Sequence, residues 1–237
     1  MPAELNSILE VHALKVTFDE RTVLSGLDFT VSRGEALAII GPNGSGKTVL
    51  FRALIGAIPY QGTIRWASGV RLGYVPQKID IERDLPITGK DLLRAKLNIS
   101  GAKKQDILRA LERLDLNQDA LRQPIGSMSG GQFQRLLVAF ALIGHPDVLL
   151  LDEPAAGIDL PGQDALNTAL YRLQKEDQVT ILLISHDLSV VYRYASKVLC
   201  LAREHICLGE PRVVLTPERL SELYGKPISF HSHDDGL

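Results

Sequence analysis

Three short, nearly unbroken apolar runs organise the chain: residues 35–40 (EALAII), 147–151 (DVLLL) and 179–185 (VTILLIS). Runs this short, with no polar alternation, read as strands covered on both faces, as in a parallel sheet. Apolar residues recur at helical spacing over 47–55, 133–143, 164–176 and 190–194. Strands alternating with helices predict an α/β core. The beginning differs. Residues 8–18 and 23–31 alternate and are separated by a turn at 19–22, so the sheet opens antiparallel. Residues 63–66 and 71–75 read as two more short strands of this part of the sheet, with Ser68-Gly69 between them and Pro76-Gln77 closing it. From 78 to 128 the pattern becomes helical. One helix is expected over 91–97 and another over 103–114, the latter with Ile107, Leu108, Leu111 and Leu114 on one face, punctuated by Gly101 and Asn117. A strand pair at 197–201 and 205–208 follows, then a short helix over 216–223 capped by Thr216 with Pro217 in its first turn.

Length and composition narrow the class. A chain of 237 residues, 45% hydrophobic and 23% charged, suits one large α/β domain with a core of its own. The net charge of −2 gives no basic face for nucleic acid. No apolar run approaches the roughly 18 residues of a membrane span. The first residues, MPAELNSILE, lack a basic and then apolar leader, so a soluble cytoplasmic protein is expected. Cys200 and Cys207 fit no zinc spacing and no disulfide framework, and read as small core or near-surface residues.

The chemistry centres on Gly41-Pro42-Asn43-Gly44-Ser45-Gly46-Lys47-Thr48, which fits G-x-x-x-x-G-K-[ST] and lies between a predicted strand and a predicted helix. Its glycines let backbone N–H groups turn around an anion, and the helix start adds unpaired donors and a positive dipole end. Lys47 is expected on the β- and γ-phosphates and Thr48 on Mg²⁺. The run 147–151 ends in Asp152-Glu153, where α/β sheets place their chemistry. Asp152 suits Mg²⁺, and Glu153, one residue further, suits orienting or deprotonating a water. His186 closes the run 179–185 on that same edge. Ser129-Gly130-Gly131-Gln132 precedes the helix expected from 133 and looks like a second anion-binding helix start. Phe18, ahead of the loop, is either a core aromatic or a ring that stacks on adenine.

The order of these motifs resembles the ATP-binding-cassette (ABC) ATPases over nearly the whole chain, with Gln77, Ser129-Gly130-Gly131-Gln132, Leu149-Leu150-Leu151-Asp152-Glu153 and His186 at the family's separations. The resemblance implies a P-loop nucleotide-binding fold of one domain: a core with antiparallel β over about 8–77 and 129–210, a helical subdomain over about 78–128 and a tail over 211–237. It implies ATP and Mg²⁺ as ligands and a head-to-tail homodimer with two nucleotides. Phe18 is then the adenine-stacking aromatic, and Gln77 senses the γ-phosphate and Mg²⁺. Ser129, Gly130, Gly131 and Gln132 meet the other subunit's ATP. Glu153 is the general base, His186 holds the attacking water, and Asp159 ends the loop that crosses the interface. Met128 stands where the family has leucine, and Ala156-Gly157-Ile158-Asp159 departs from its usual Ser-Ala-Leu-Asp.

The resemblance further implies a bacterial importer at the cytoplasmic face of the membrane. Its membrane subunits would dock near Gln77 and about 78–98, fed by an extracytoplasmic binding protein. The stretches 85–88, 152–159 and 198–209 are similar to the branch importing zinc and manganese, with zinc ahead of manganese or iron. Another solute, a soluble cassette acting on ribosomes or DNA, and an assembly ATPase stand as alternatives. His231 and His233, beside Asp234 and Asp235, could bind Zn²⁺, although a frayed polar terminus explains them as well.

Overall fold

The computed structural model describes residues 6–79, 85–202 and 206–225. The antiparallel opening forms a sheet of its own. β1 (Ser7–Phe18) pairs with β2 (Arg21–Ser32) on one side and with β4 (Gln61–Trp66) on the other. The core sheet runs β5-β6-β7-β3-β8-β9. It comprises β5 (Leu72–Val75), β6 (Val148–Asp152), β7 (Thr180–Ile184), β3 (Ala36–Ile40) and β8 (Lys197–Leu201) in parallel, and β9 (Ile206–Gly209) antiparallel at the edge. The two strands expected in one part of the sheet, at 63–66 and 71–75, therefore part company. β4 joins β1, whereas β5 crosses to β6. The local patterns of the two are alike, and only long-range pairing separates them.

The unbroken apolar runs are explained by two-sided cover. Along β6, Val148 and Leu150 enter one apolar cluster with α1 (Lys47–Leu54) and the antiparallel sheet, while Leu149 and Leu151 enter another with α4 (Gly130–Leu142) and α5 (Leu160–Lys175). α6 (Leu188–Tyr194), α7 (Pro211–Val214) and α8 (Pro217–Tyr224) cover a smaller third cluster beside β8. The four-residue α7 escaped the sequence reading.

The helical stretch contains α2 (Gly89–Ser100), α3 (Lys104–Arg113) and short 3₁₀ turns at Gln118–Arg122 and Ile125–Ser127. Thr88 starts α2 with a capping box to Asp91. Leu93, Leu111, Leu114 and Leu121 pack with α4, but Leu108 is 51% exposed and does not belong to the buried face of α3. Arg113 ties α3 to Glu176 and Asp177 beyond α5. α4 starts three residues before the expected 133, because Ser129 and Gln132 form a reciprocal capping box over the glycine pair.

The cysteine reading is corrected. Cys200 and Cys207 face each other across β8 and β9 and are joined by a disulfide. The antiparallel register of β8 and β9 sets them opposite each other, which spacing alone cannot show. Among the described residues no helix is long and apolar enough to cross a membrane. The tail histidines His231 and His233, residues 80–84 of the expected docking stretch and His205 lie outside the described residues.

Candidate functional site

β3 delivers the glycine loop directly to α1. Gly41 has φ 150°, and a Cβ there would collide with the carbonyl oxygen of Leu201 at the end of β8. Only glycine fits this crossing of the two backbones. Leu201 is a wall of the loop that no motif reveals, since it arrives through the β3–β8 register. Gly46 is left-handed, with Leu24 and Val23 of β2 against its Cα. The β1–β2 hairpin thus passes beside the loop: Leu24 pairs with Val16, and Phe18 stands just beyond at the hairpin turn. Phe18 is 41% exposed, which removes the core-aromatic reading and leaves a free ring at this end of the hairpin.

Lys47 is 8% exposed. Its Nζ donates to the carbonyls of Gly41 and Pro42 at 2.9 and 3.0 Å. Burial lowers its pKa from the ordinary lysine value, and Glu153 and then Asp152 oppose that shift. A buried ammonium spanning the mouth of a glycine loop is placed to meet phosphate oxygens. The Ser45 hydroxyl, buried in the same loop, has no hydrogen-bond partner, which fits a loop built to surround a ligand.

The Thr48 hydroxyl donates to Asp152 Oδ2 at 2.8 Å. A hydroxyl and a carboxylate held together make an all-oxygen donor set, the kind Mg²⁺ takes. Burial raises the pKa of Asp152; the Thr48 hydrogen bond opposes this, the Glu153 charge adds to it and Lys47 opposes it. The sign has two consequences. A folded pKa above the unfolded one makes ionised Asp152 a cost to stability, fully present above the folded pKa and absent below the unfolded value. Mg²⁺ binding needs that ionised form. Asp152→Asn is expected to keep or raise the melting temperature while losing Mg²⁺-dependent nucleotide binding. In the native chain that binding is expected to fall with acid at a pH above the ordinary aspartate range of about 3.9. Nucleotide titrations from pH 4 to 8 beside thermal melts check both.

Glu153 follows β6 in a left-handed conformation, φ 48°, uncommon for a residue with a side chain. Its N–H donates to Ile184 O at 3.1 Å and its carbonyl accepts from Ala156 N–H at 3.1 Å, so the neighbouring strand end holds the strained turn in place. Gln77 Nε2 donates to Glu153 Oε2 at 2.8 Å, and His186 Nδ1 lies 3.8 Å from the same oxygen. The sequence-predicted loop, Gln77, Asp152, Glu153 and His186 are thereby brought together at the C-terminal edge of the core sheet.

The signature packs on the turn that leaves Glu153. Gly130 packs at the Gly157 carbonyl and Gly131 at Ile158, while Ser129 and Gln132 cap α4. Asp159 precedes α5 with its Oδ1 near Gly162. Within one chain, then, the signature and Asp159 share a corner formed by α4 and the loop entering α5.

A glycine loop between strand and helix, with carboxylates delivered by a nearby strand of the same sheet, defines a P-loop nucleotide hydrolase of mixed α/β architecture with an antiparallel β subdomain. The family model described as ABC transporter matches residues 24–156. The chain belongs to that family, as an ABC transporter ATP-binding subunit that hydrolyses ATP for transport. It is 38% identical to the zinc import ATP-binding protein ZnuC of Photorhabdus laumondii, across 97% of this chain and 91% of that relative. It is 40% identical to the protein of the same name from Roseobacter denitrificans, across 92% and 85%. Among solved structures it is similar to one described as an inward-facing conformation of a metal-chelate type ABC transporter, with a TM-score of 0.85 and 28% identity over 94% of this chain and 90% of that one.

Proposed function

We propose that this chain is the ATPase of a zinc importer, working as one unit on the cytoplasmic face of the membrane and as a head-to-tail pair that encloses two ATP. The substrate assignment rests on one observation: relatives named for zinc import are 38–40% identical across 92–97% of the chain. Manganese and iron have no such support.

In this reading Phe18 stacks on adenine and residues 41–46 wrap the phosphates with backbone N–H groups. Lys47 exchanges its two carbonyl partners for β- and γ-phosphate oxygens. Thr48, Asp152 and Gln77 hold Mg²⁺, which neutralises charge on the phosphates. Gln77 must turn from Glu153 to reach the γ-phosphate side, so nucleotide arrival frees the Glu153 carboxylate. Glu153 takes a proton from water as the water oxygen bonds the γ-phosphorus, and the electron pair of the broken bond stays on ADP. His186 orients that water. Ser129, Gly130, Gly131 and Gln132 of the second copy close on the γ-phosphate, with Asp159 at the seam. Membrane subunits receive the motion near Gln77 and α2, and an extracytoplasmic binding protein supplies the cargo.

The test is the metal content of cells lacking this chain, restored with the native protein or with Glu153→Gln and grown under metal scarcity. A zinc deficit rescued by the native chain alone is expected. A deficit confined to manganese or iron would move the cargo, and unchanged metals with intact ATPase activity would overturn metal import.

A further inference from the structure

The hairpin β8–β9 carries a feature that hydrolysis does not use. Cys200 and Cys207 are opposite partners with Cα atoms 4.8 Å apart, near the ~4.5 Å of a non-hydrogen-bonded antiparallel pair, where side chains approach most closely. Cys200 is 4% exposed, packed among Ala38, Ile40, Leu220 and Leu223. Cys207 is half-buried, and both cysteines line a cleft of about 410 Å³ between β9 and α8, shared with Arg219 and Glu222. Cys207 is thus the more exposed partner at an opening wide enough for a small thiol. The place matters as much as the pairing. Cys200 lies beside Ile40, the last residue before the phosphate loop, and the next carbonyl, that of Leu201, is the wall against Gly41.

We propose that Cys200 and Cys207 are a reversible thiol–disulfide couple whose oxidation firms the wall behind Gly41 and tightens nucleotide binding. The oxidant is a small-molecule disulfide. The Cys207 thiolate attacks one of its sulfurs, forming a mixed disulfide and releasing the first small thiolate. The Cys200 thiolate then attacks the Cys207 sulfur, forming the Cys200–Cys207 bond and releasing the second. The protons of the two cysteines end on the two leaving thiolates, so one dithiol is oxidised and one disulfide is reduced to two thiols. A switch fits better than a permanent staple. On the cytoplasmic face assigned above, glutathione keeps thiols reduced and disulfides are transient. The hairpin is also held without the bond, since β8 pairs with β3 and β9 packs against α7 and α8. Two separate thiols need a van der Waals gap that a disulfide removes. With Cys200 fixed in the core, the reduced form pushes β9 outward and loosens the strand end at Leu201.

The experiment equilibrates the full chain with defined ratios of glutathione to glutathione disulfide, with and without MgATP. Acid quench and alkylation count free thiols by mass, and a fluorescent ATP analogue reports Kd in each form. Full reversible closure between the two cysteines is expected, with a Kd at least threefold tighter in the oxidised form. By reciprocity MgATP must favour oxidation by the same factor. Threefold is about 14 mV for a two-electron couple. Cys207→Ser should show one redox-indifferent Kd, and the native-chain coupling decides the matter should that variant fold poorly. A persistent glutathione adduct, thiols that stay free, or equal Kd in both forms would overturn the proposal. Loss of nucleotide binding in both forms would instead strike the nucleotide assignment of the loop on which the proposal rests.

Discussion

Glu153→Gln is expected to cut steady-state ATP hydrolysis by about 10²–10⁴-fold, the usual contribution of a positioned general base, while leaving ATP binding intact. The substitution keeps size and polarity but removes the only property that accepts a proton. The groups placed for binding are Lys47, Thr48 and the backbone of the loop, and none of them changes. Removing a carboxylate that acts electrostatically on Lys47 also removes a repulsion felt by phosphate, so affinity should hold or rise. Phosphate release and nucleotide titration on the same preparation separate the two effects. A fully active variant would take Glu153 out of the base role, and lost affinity would make its contribution one of binding.

Lys47→Ala is expected to act on the other quantity. A charge-assisted hydrogen bond contributes about 1.5–3 kcal/mol, and Lys47 is placed to make two of them to phosphate. Their loss predicts at least about a 10²-fold weaker ATP affinity. The fold should survive, because both carbonyls that Lys47 satisfies lie within the loop itself, whose tip at Asn43 and Gly44 is exposed. Equilibrium binding of ATP with circular dichroism as a control reads this directly. Unchanged affinity would contradict the phosphate-loop assignment.

What the sequence revealed follows from how local each feature is. β3, β6 and β7 were legible because two-sided burial leaves no polar alternation in 36–40, 148–152 and 180–184. Glu153 and His186 were legible because each closes such a run. The partition of β4 and β5 into separate sheets was not, since strand partners are chosen by chain ends far apart in sequence. The start of α4 was readable in principle from Ser129-x-x-Gln132, but two glycines argued against helix, and the capping box outweighed them. The Leu201 wall and the facing cysteines both depend on β8 register, which no local pattern encodes. Phe18 left two readings open, and its exposure speaks only against the core one.

The placement of the signature carries the central claim. Ser129, Gly131, Ile158 and Asp159 form a corner beside the turn that follows Glu153, and in the proposed head-to-tail pair this corner of one copy meets the nucleotide held by Lys47 of the other. The measurement is the solution mass of Glu153→Gln by light scattering, with and without MgATP, beside the same chain carrying Ser129→Arg as well. The account predicts a monomer without nucleotide, twice that mass with MgATP, and a monomer again once Ser129 is replaced. A Glu153→Gln chain that binds ATP yet stays monomeric, or that pairs equally well with Ser129→Arg, would contradict it.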